Sequence, residues 1–424
     1  MKNRATINKN PYTALDPSSK PLPIRIFNWL EGTLEKRGKS LIDLSADSLM
    51  GKAVRKTGLT DWGDDESFRI PLKLLLESCR EEPMLNSFGR YLVSKMMTEL
   101  LCNRLCIQDE IKRHPEILDE EIRKPLFIVS LSRTGSTLLQ NLLLQDPSSR
   151  YLRHWEAVAP SLHPRHLTKK TDPRIAAAKQ SVWLLERFIP KFFTAHEISA
   201  EGPEECYPLL ALSFVHEMPG VFQRYRDWLK EQDKIPTYRY YRQTLQLLQW
   251  HLRRDHWVLK APLHLPHLEA LLAVFPDACV VQTHRDPLKI VPSQCSLTAT
   301  LGSIIFSDQV NLDFVSRKAV DEQANMLDNA ISVRKSADPA QFYDVYYKDL
   351  MKDPASTVRD IYQYFGYNYD ESMDERIQNW LAENRQYKKG VHHYSLEQFG
   401  LDEEIINRKF ANYIKQYNIP KESS

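Results

Sequence analysis

The sequence predicts an α/β fold in which a parallel β-sheet is flanked by helices, and three observations carry that prediction. Short apolar runs alternate with helical periodicity after residue 125. The apolar runs are continuous, as in central parallel strands covered on both faces. The chain has 424 residues, of which 42% are apolar and 26% charged. This balance is that of a globular protein and excludes collagen-like, disordered and coiled-coil chains.

The first part of the chain is predicted to be helical. Residues 1–20 are polar and rich in Asn, Pro and Ser, which is typical of an arm. Beyond them, Leu72, Leu75 and Leu76 lie at the spacing of one helix face. No apolar run before residue 125 has the character of a strand. We therefore predict a polar arm over 1–20 and an α-helical extension over 21–120.

A strand, a tight loop and a helix follow in direct succession. The apolar run 125–129 is entered through a proline and closed by the loop 130–135. Leucines then recur at helical spacing, at positions 138, 139, 142 and 143, until Asp146 and Pro147 end the pattern. This order predicts a βα unit with its loop at the carboxyl end of the strand.

Further strands are predicted over 257–259, 278–283 and 342–346, with helices between them. One helix should open at Pro266 and another at Asp353–Pro354. We assign 121–424 to an α/β domain, with a helical, substrate-capping insertion over 150–250. Ligands of parallel sheets bind at the carboxyl ends of the strands, so we expect the site in the loops after residues 129, 260 and 283.

Charge and cysteine usage exclude several classes of protein. The 57 basic and 55 acidic residues nearly cancel, at a net charge of +2, so we expect no nucleic acid partner. The six cysteines include no C-x-x-C pair, which disfavours both a disulfide framework and a zinc site.

No apolar run reaches the length of a membrane-spanning helix, and the N-terminus lacks the apolar core of a signal peptide. We expect no transmembrane segment and a cytoplasmic location.

The loop 130–137 has the composition of an anion site. It joins a strand to a helix N-terminus, where unpaired N–H groups and the helix dipole attract phosphate or sulfate. Arg133 adds a cation, Gly135 permits close approach, and Ser136 and Thr137 add hydroxyls. In the nucleotide loop G-x-x-x-x-G-K-S/T, serine would replace both the first glycine and the lysine. The segment is therefore a P-loop-like cradle that lacks the lysine of a triphosphate site. A serine-rich turn without a ligand is the alternative.

Two further basic clusters lie later in the chain. Arg285 comes after a strand, and Ser293 lies eight residues further on, about two turns along a helix that starts near Pro287. A surface ion pair between Arg285 and Asp286 is the alternative. The third cluster is Lys388-Lys389-Gly390, for which a solvated turn is the alternative.

Together these segments resemble the sulfotransferases that use 3′-phosphoadenosine 5′-phosphosulfate (PAPS), in particular the bacterial branch with the loop P-R-S/T-G-S/T-T. The likeness rests on the order and spacing of the motifs and covers most of residues 45–405. Ser130 and Ser132 depart from the family, which usually has Gly and Pro before the loop Arg. The resemblance implies that PAPS, the sulfuryl donor, is bound by Arg133, Thr134, Gly135, Ser136, Thr137, Arg285, Ser293, Tyr347, Lys388, Lys389 and Gly390.

The resemblance also implies an in-line displacement that needs no metal. Lys260 is our candidate for the cation on the bridging oxygen of the leaving phosphate, a role that Arg133 would share. The acceptor hydroxyl must lose its proton to a general base. His264 and Glu156 are the two candidates. For His264 the alternative is a loop histidine that is hydrogen-bonded to the backbone. For Glu156 the alternative is a carboxylate that caps a helix or forms an ion pair with Arg150 or Arg153.

The sequence thus predicts a sulfotransferase that moves the sulfuryl group from PAPS to a hydroxyl of a small-molecule or lipid-like acceptor, releasing 3′,5′-adenosine bisphosphate (PAP). An ATP-dependent small-molecule kinase with a degenerate phosphate loop and a non-catalytic nucleotide-binding scaffold are the alternatives. The helical extension is open to two interpretations, a homodimer surface or a lid.

Overall fold

Five parallel strands form one sheet in this computed structural model, which describes residues 20–166, 171–188, 198–216, 222–307, 312–384 and 396–422. The strands are β1 (Leu126–Val129), β2 (Ser149–Tyr151), β3 (His256–Lys260), β4 (Cys279–His284) and β5 (Phe342–Tyr346). Their order across the sheet is β2-β3-β1-β4-β5, and every pairing is parallel. The predicted fold class and four predicted strands are confirmed. The three-residue strand β2 was missed, because it is too short to carry a pattern.

Four α-helices precede the sheet in the part of the chain that begins at residue 20: α1 (Leu22–Glu35), α2 (Ala46–Thr57), α3 (Arg69–Glu81) and α4 (Ser87–Arg113). Local signals set their ends. The Ser45 side chain caps α2, whose last turn closes on Gly58 in the left-handed conformation. The Asn86 side chain accepts a hydrogen bond from Gly89 N at 2.8 Å and caps α4. These four helices lie within the predicted extension over 21–120, and residues 1–19 of the arm predicted over 1–20 lie outside the described residues.

The remaining helices flank the strands. They are α5 (Ser136–Leu143), α6 (His154–Val158), α7 (Pro173–Phe188), α8 (Tyr207–Leu210), α9 (Gln223–Lys230), α10 (Ile235–His251), α11 (Leu268–Val274), α12 (Pro287–Ile305), α13 (Leu312–Ser336), α14 (Tyr347–Lys352), α15 (Pro354–Phe365), α16 (Ser372–Glu383), α17 (Glu403–Lys409) and α18 (Ala411–Gln416). The predicted start of a helix at Pro266 is wrong. Residues 262–267 form a 3₁₀ turn, and the α-helix starts at Leu268. None of the helices described is long and apolar enough to cross a membrane.

Successive residues of β1 face two separate cores, which explains its unbroken apolar run. Phe127 and Val129 pack into the larger core, together with residues of α10 and α11. Leu126 and Ile128 pack into the second core, together with residues of α5 and α15. Because helices cover both faces, every residue of β1 is buried.

The order of the strands places the site. β1 lies between β3 and β4, and the chain leaves β1 towards β2 on one side before it later crosses to β4 on the other. A crevice opens at the carboxyl ends of parallel strands where connections diverge in this way. The loops after β1, β3 and β4 therefore meet at one edge of the sheet.

Candidate active site

The loop after β1 places backbone N–H groups for an anion. Arg133 has φ of 74° and Gly135 has φ of 87°, both in the left-handed region. A Cβ at Gly135 would lie 3.0 Å from the ring of Tyr347 and 3.1 Å from Leu350, so backbone conformation and packing both require glycine here. Helix α5 starts directly after Gly135 without a side-chain cap. The N–H groups of its first turn are those that bind anions at helix N-termini, so the loop fits a phosphosulfate.

Thr134 braces this loop rather than presenting its hydroxyl. Its side chain is buried, donates to Leu131 O at 2.9 Å and lies 2.5 Å from the hydroxyl of Thr283 on β4. The predicted role of Thr134 in binding the sulfuryl donor is thereby restricted to its backbone. Ser136 is buried in the first turn of α5, and Thr137 is exposed beside it.

Lys260 reaches the loop from the end of β3. Its Nζ lies 3.2 Å from the hydroxyl of Thr137 and 2.9 Å from Oε1 of Glu205. The Lys260 side chain is only 4% exposed, against 24% for that of Glu205. Cys206 N donates to Lys260 O at 2.9 Å, which holds the segment of Glu205 against the end of the strand. A nearly buried ammonium is thus paired with a carboxylate that remains accessible.

The pairing of Glu205 with Lys260 is a contact that sequence reasoning did not foresee. Glu205 lies in the stretch Glu201-Gly202-Pro203-Glu204-Glu205, for which the sequence leaves two interpretations open, a solvated acidic loop or the lining of the acceptor entrance. The structure separates its three carboxylates. Glu201 pairs with Lys179 at the surface, and Glu204 lies 2.5 Å from His154 Nδ1. Of the three carboxylates, that of Glu205 lies beside Lys260, and no spacing in the sequence signals that contact.

The structure brings Arg133, Ser293 and Arg285 together from two distant segments. Arg133 Nε donates to Ser293 Oγ at 3.0 Å, and an Arg285 Nη donates to Arg133 O at 3.0 Å. Ser293 lies on α12, which begins at Pro287 as the sequence indicates. The predicted cluster is therefore continuous with the loop after β1.

Arg285 also contacts the C-terminal segment. Its guanidinium stacks on Tyr347, 3.8 Å from the ring centroid, and its Nε lies 2.9 Å from a carboxylate oxygen of Glu422. Asp286, considered above as an ion-pair partner, accepts hydrogen bonds from Leu288 N and Glu422 N. A cavity of about 420 Å³ adjoins this cluster, lined in part by Arg285, Tyr347 and residues 419–422.

His264 lies in the core, which counts against its predicted role as the general base. Its side chain is fully buried, with Nδ1 2.8 Å from the hydroxyl of Tyr238 and the ring edge-on to Phe127. Its Nε2 is enclosed without a hydrogen-bond partner. Burial lowers the pKa of His264 to about 3. Such an imidazole is a weak base, and in this arrangement its ring is not exposed to solvent.

Burial of histidine predicts sensitivity to acid. Burial lowers the pKa of both His264 and His216 to about 3, from 6.5. The unfolded chain takes up these protons below pH 6.5, whereas the folded chain does not until about pH 3. The stabilisation is therefore complete above about pH 6.5 and falls as the pH drops, by up to about 1.4 kcal/mol per histidine per pH unit. Urea midpoints at pH 7.5 and 5.5 test this expectation, and equal midpoints would contradict it.

Glu156 also differs from the prediction of a base. It is 4% exposed and forms two hydrogen bonds to the guanidinium of Arg150, at 2.7 and 3.0 Å. It further accepts from Arg153 N at 3.1 Å, at the start of α6. These contacts engage both carboxylate oxygens, as in the cap and ion-pair alternative. The remaining predicted residues, Lys388, Lys389 and Gly390, lie outside the part of the chain that the structure describes.

Comparisons with known proteins find sulfotransferases among both sequences and solved structures. The family model described as the sulfotransferase family matches residues 125–371. The crystal structure of sulfotransferase STF9 from Mycobacterium avium is 31% identical, with a TM-score of 0.81 over 90% of this chain and 99% of that chain. Sulfotransferase STF1 from Mycobacterium tuberculosis H37Rv is 33% identical, with a TM-score of 0.74 over 86% and 98%. The omega-hydroxy-beta-dihydromenaquinone-9 sulfotransferase Stf3 of Mycobacterium bovis is 28% identical over 302 residues, which are 67% of this chain and 74% of that protein.

Proposed function

The chain belongs to the sulfotransferase family, and on that premise we propose that Lys260 and Glu205 form the reacting centre for transfer to a lipid-like hydroxyl. The activity itself is that of a sulfotransferase, with PAPS as the sulfuryl donor and PAP as the product. The kinase and scaffold alternatives find no support among these relatives. The observation that carries the proposal is the placement of Lys260 between Thr137 and Glu205, at 3.2 and 2.9 Å.

Bound PAPS supplies an activated sulfuryl group whose leaving group is a phosphate. We propose that the backbone of residues 134–137 and the side chain of Arg133 hold the phosphosulfate at the N-terminus of α5. Lys260 Nζ, which lies beside Thr137, is proposed to stabilise negative charge that develops on the bridging oxygen. Arg285 and Ser293, joined to the loop through Arg133, are proposed to hold the 3′-phosphate.

Glu205 is proposed as the general base in place of His264 and Glu156. Lys260 contacts its Oε1 and orients the carboxylate, while the side chain keeps 24% exposure. We assign Oε2 to accept the proton of the acceptor hydroxyl. The base would then act on the hydroxyl that attacks the sulfur from the side opposite the bridging oxygen, while Lys260 stabilises the charge on that oxygen.

The proposed acceptor carries its hydroxyl on an apolar body. Support comes from the relative Stf3, whose name describes an omega-hydroxy menaquinone derivative as its substrate. We expect long-chain alcohols with a terminal hydroxyl to be sulfated in preference to phenols or sugars. Transfer of labelled sulfuryl from PAPS across such a panel tests this, and equal rates for sugars would contradict the apolar preference.

A thermal shift tests the nucleotide assignment. We expect PAP at 100 times its Kd to stabilise the chain by about 2.7 kcal/mol without added metal. The midpoint should rise by a few degrees. ATP with Mg²⁺, at the same concentration, should shift it far less. A shift with ATP and Mg²⁺ alone would overturn the assignment.

Glu422 is expected to compete with the 3′-phosphate for Arg285. Its carboxylate accepts from the Arg285 guanidinium at 2.9 and 3.1 Å. Glu422→Gln removes the competing charge, and we expect the Kd for PAP to fall about fivefold, the scale of one partly exposed ion pair. Calorimetric titration measures the change, with Glu371→Gln, at the exposed residue that precedes α16, as the control. An unchanged or higher Kd would show that Glu422 does not oppose binding.

We infer a reducing compartment, in line with the cytoplasmic expectation. All six cysteines are free and buried. Burial raises the pKa of the thiols of Cys102 and Cys295 to about 11, which keeps them protonated and unreactive. The homodimer stays a prediction.

A further inference from the structure

Helix α1 presents a stripe of large apolar side chains to solvent. Leu22, Ile26, Trp29 and Leu30 are 64, 49, 69 and 48% exposed. At 100° per residue these four positions fall within about a third of the helix circumference. Exposed apolar residues scattered singly are ordinary, but a contiguous stripe with a tryptophan indicates an interaction surface.

The opposite side of α1 is attached to the rest of the protein, so the stripe cannot turn inward without breaking contacts. Ile24 is buried in the core, and Phe27 packs against Phe88 with ring centroids 5.9 Å apart. Asn28 Oδ1 accepts a hydrogen bond from Phe88 N at 2.8 Å. These contacts dock the helix on the first turns of α4 and fix which side faces out.

Exposed cations border the stripe. Arg25 flanks the stripe, and Lys36, Arg37 and Lys39 follow it directly; all four are exposed. The two acidic residues of the helix are engaged elsewhere. Glu31 is buried and accepts from Leu41 N at 3.1 Å, and Glu35 pairs with Arg90 at 2.7 Å.

We propose that the outer face of α1 and the basic segment 36–39 bind the surface of an anionic membrane. An apolar stripe with tryptophan beside lysine and arginine is the pattern of a helix that lies in the interface plane, with its apolar side in the acyl boundary and its cations at the headgroups. A neutral protein partner would leave the four cations without a counterpart. The inference goes beyond the proposed function, and its test needs no sulfotransferase activity.

Sedimentation with sucrose-loaded vesicles tests the proposal on the full chain. We expect binding to vesicles of phosphatidylcholine and phosphatidylglycerol at 70:30, and at least tenfold weaker binding to pure phosphatidylcholine. Trp29→Ala should lower the partition coefficient at least fivefold. Trp183→Ala, which removes a tryptophan 63% exposed on α7, is the matched control and should leave it unchanged. Lys36→Gln, Arg37→Gln and Lys39→Gln together should abolish the preference for anionic lipid.

Three results would overturn the proposal. The full chain could remain in the supernatant with anionic vesicles, or Trp29→Ala and Trp183→Ala could bind equally well. A dimer that dissociates on Trp29→Ala, without vesicle binding by the parent chain, would show that a second copy covers the stripe. Because the altered residues are exposed, unchanged thermal midpoints distinguish lost binding from lost folding.

Discussion

Replacing Glu205 by Gln is expected to lower kcat by about 10²–10⁴-fold, the contribution of a positioned general base. The amide preserves the shape of the side chain and can still accept a hydrogen bond from Lys260 Nζ, now 2.9 Å from Oε1. It cannot take the proton of the acceptor hydroxyl. Steady-state rates with saturating PAPS measure the loss, and the Kd for PAP should change less than threefold because Glu205 is not among the residues proposed to bind the nucleotide.

Neighbouring carboxylates supply the controls. Glu201 lies in the same loop as Glu205 and pairs with Lys179 at the surface. Glu201→Gln should leave kcat within threefold of the parent. His264→Gln and Glu156→Gln remove the two predicted bases, and we expect lower stability to be their main effect. A greater loss of kcat in Glu204→Gln than in Glu205→Gln would transfer the base to Glu204, whose carboxylate contacts His154.

Replacing Lys260 by Met is the second substitution with a large expected effect, about 10²–10³-fold in kcat. This is the scale of losing one group that stabilises charge in the transition state. Methionine retains much of the apolar stem in a position where the side chain is 4% exposed, so most of the packing survives. The loss should fall on kcat rather than on the KM for PAPS, because the interaction strengthens only as the bond to the leaving group breaks.

A paired measurement separates catalysis from folding for Lys260→Met. The variant leaves Glu205 without its cation, so some loss of stability is expected. Lys179→Met, which removes a surface lysine, provides the matched control. A KM for PAPS raised a hundredfold with kcat unchanged would assign Lys260 to ground-state binding instead.

Particular elements show how far sequence reasoning reached. Strand β5 has the predicted bounds, 342–346, and α12 begins at the predicted proline. Gly135 was singled out for close approach, and its left-handed backbone beside Tyr347 agrees with that reason. The spacing of Arg285 and Ser293 led to a cluster that does form. The apolar run, the proline, the glycine and the residue spacing behind these predictions are all patterns among residues that are close together in the sequence.

The sequence by itself determined the parallel α/β architecture, the anion loop and the family, because period, turn residues and motif spacing are local properties. The tertiary structure alone decided which side chains meet. It placed Glu205 beside Lys260, 55 positions away in the chain, and enclosed His264 against Tyr238. It also joined Glu156 to Arg150. The position of a residue in a loop predicts which edge of the sheet it approaches, but the direction of its side chain follows from packing with distant elements, which no local pattern encodes.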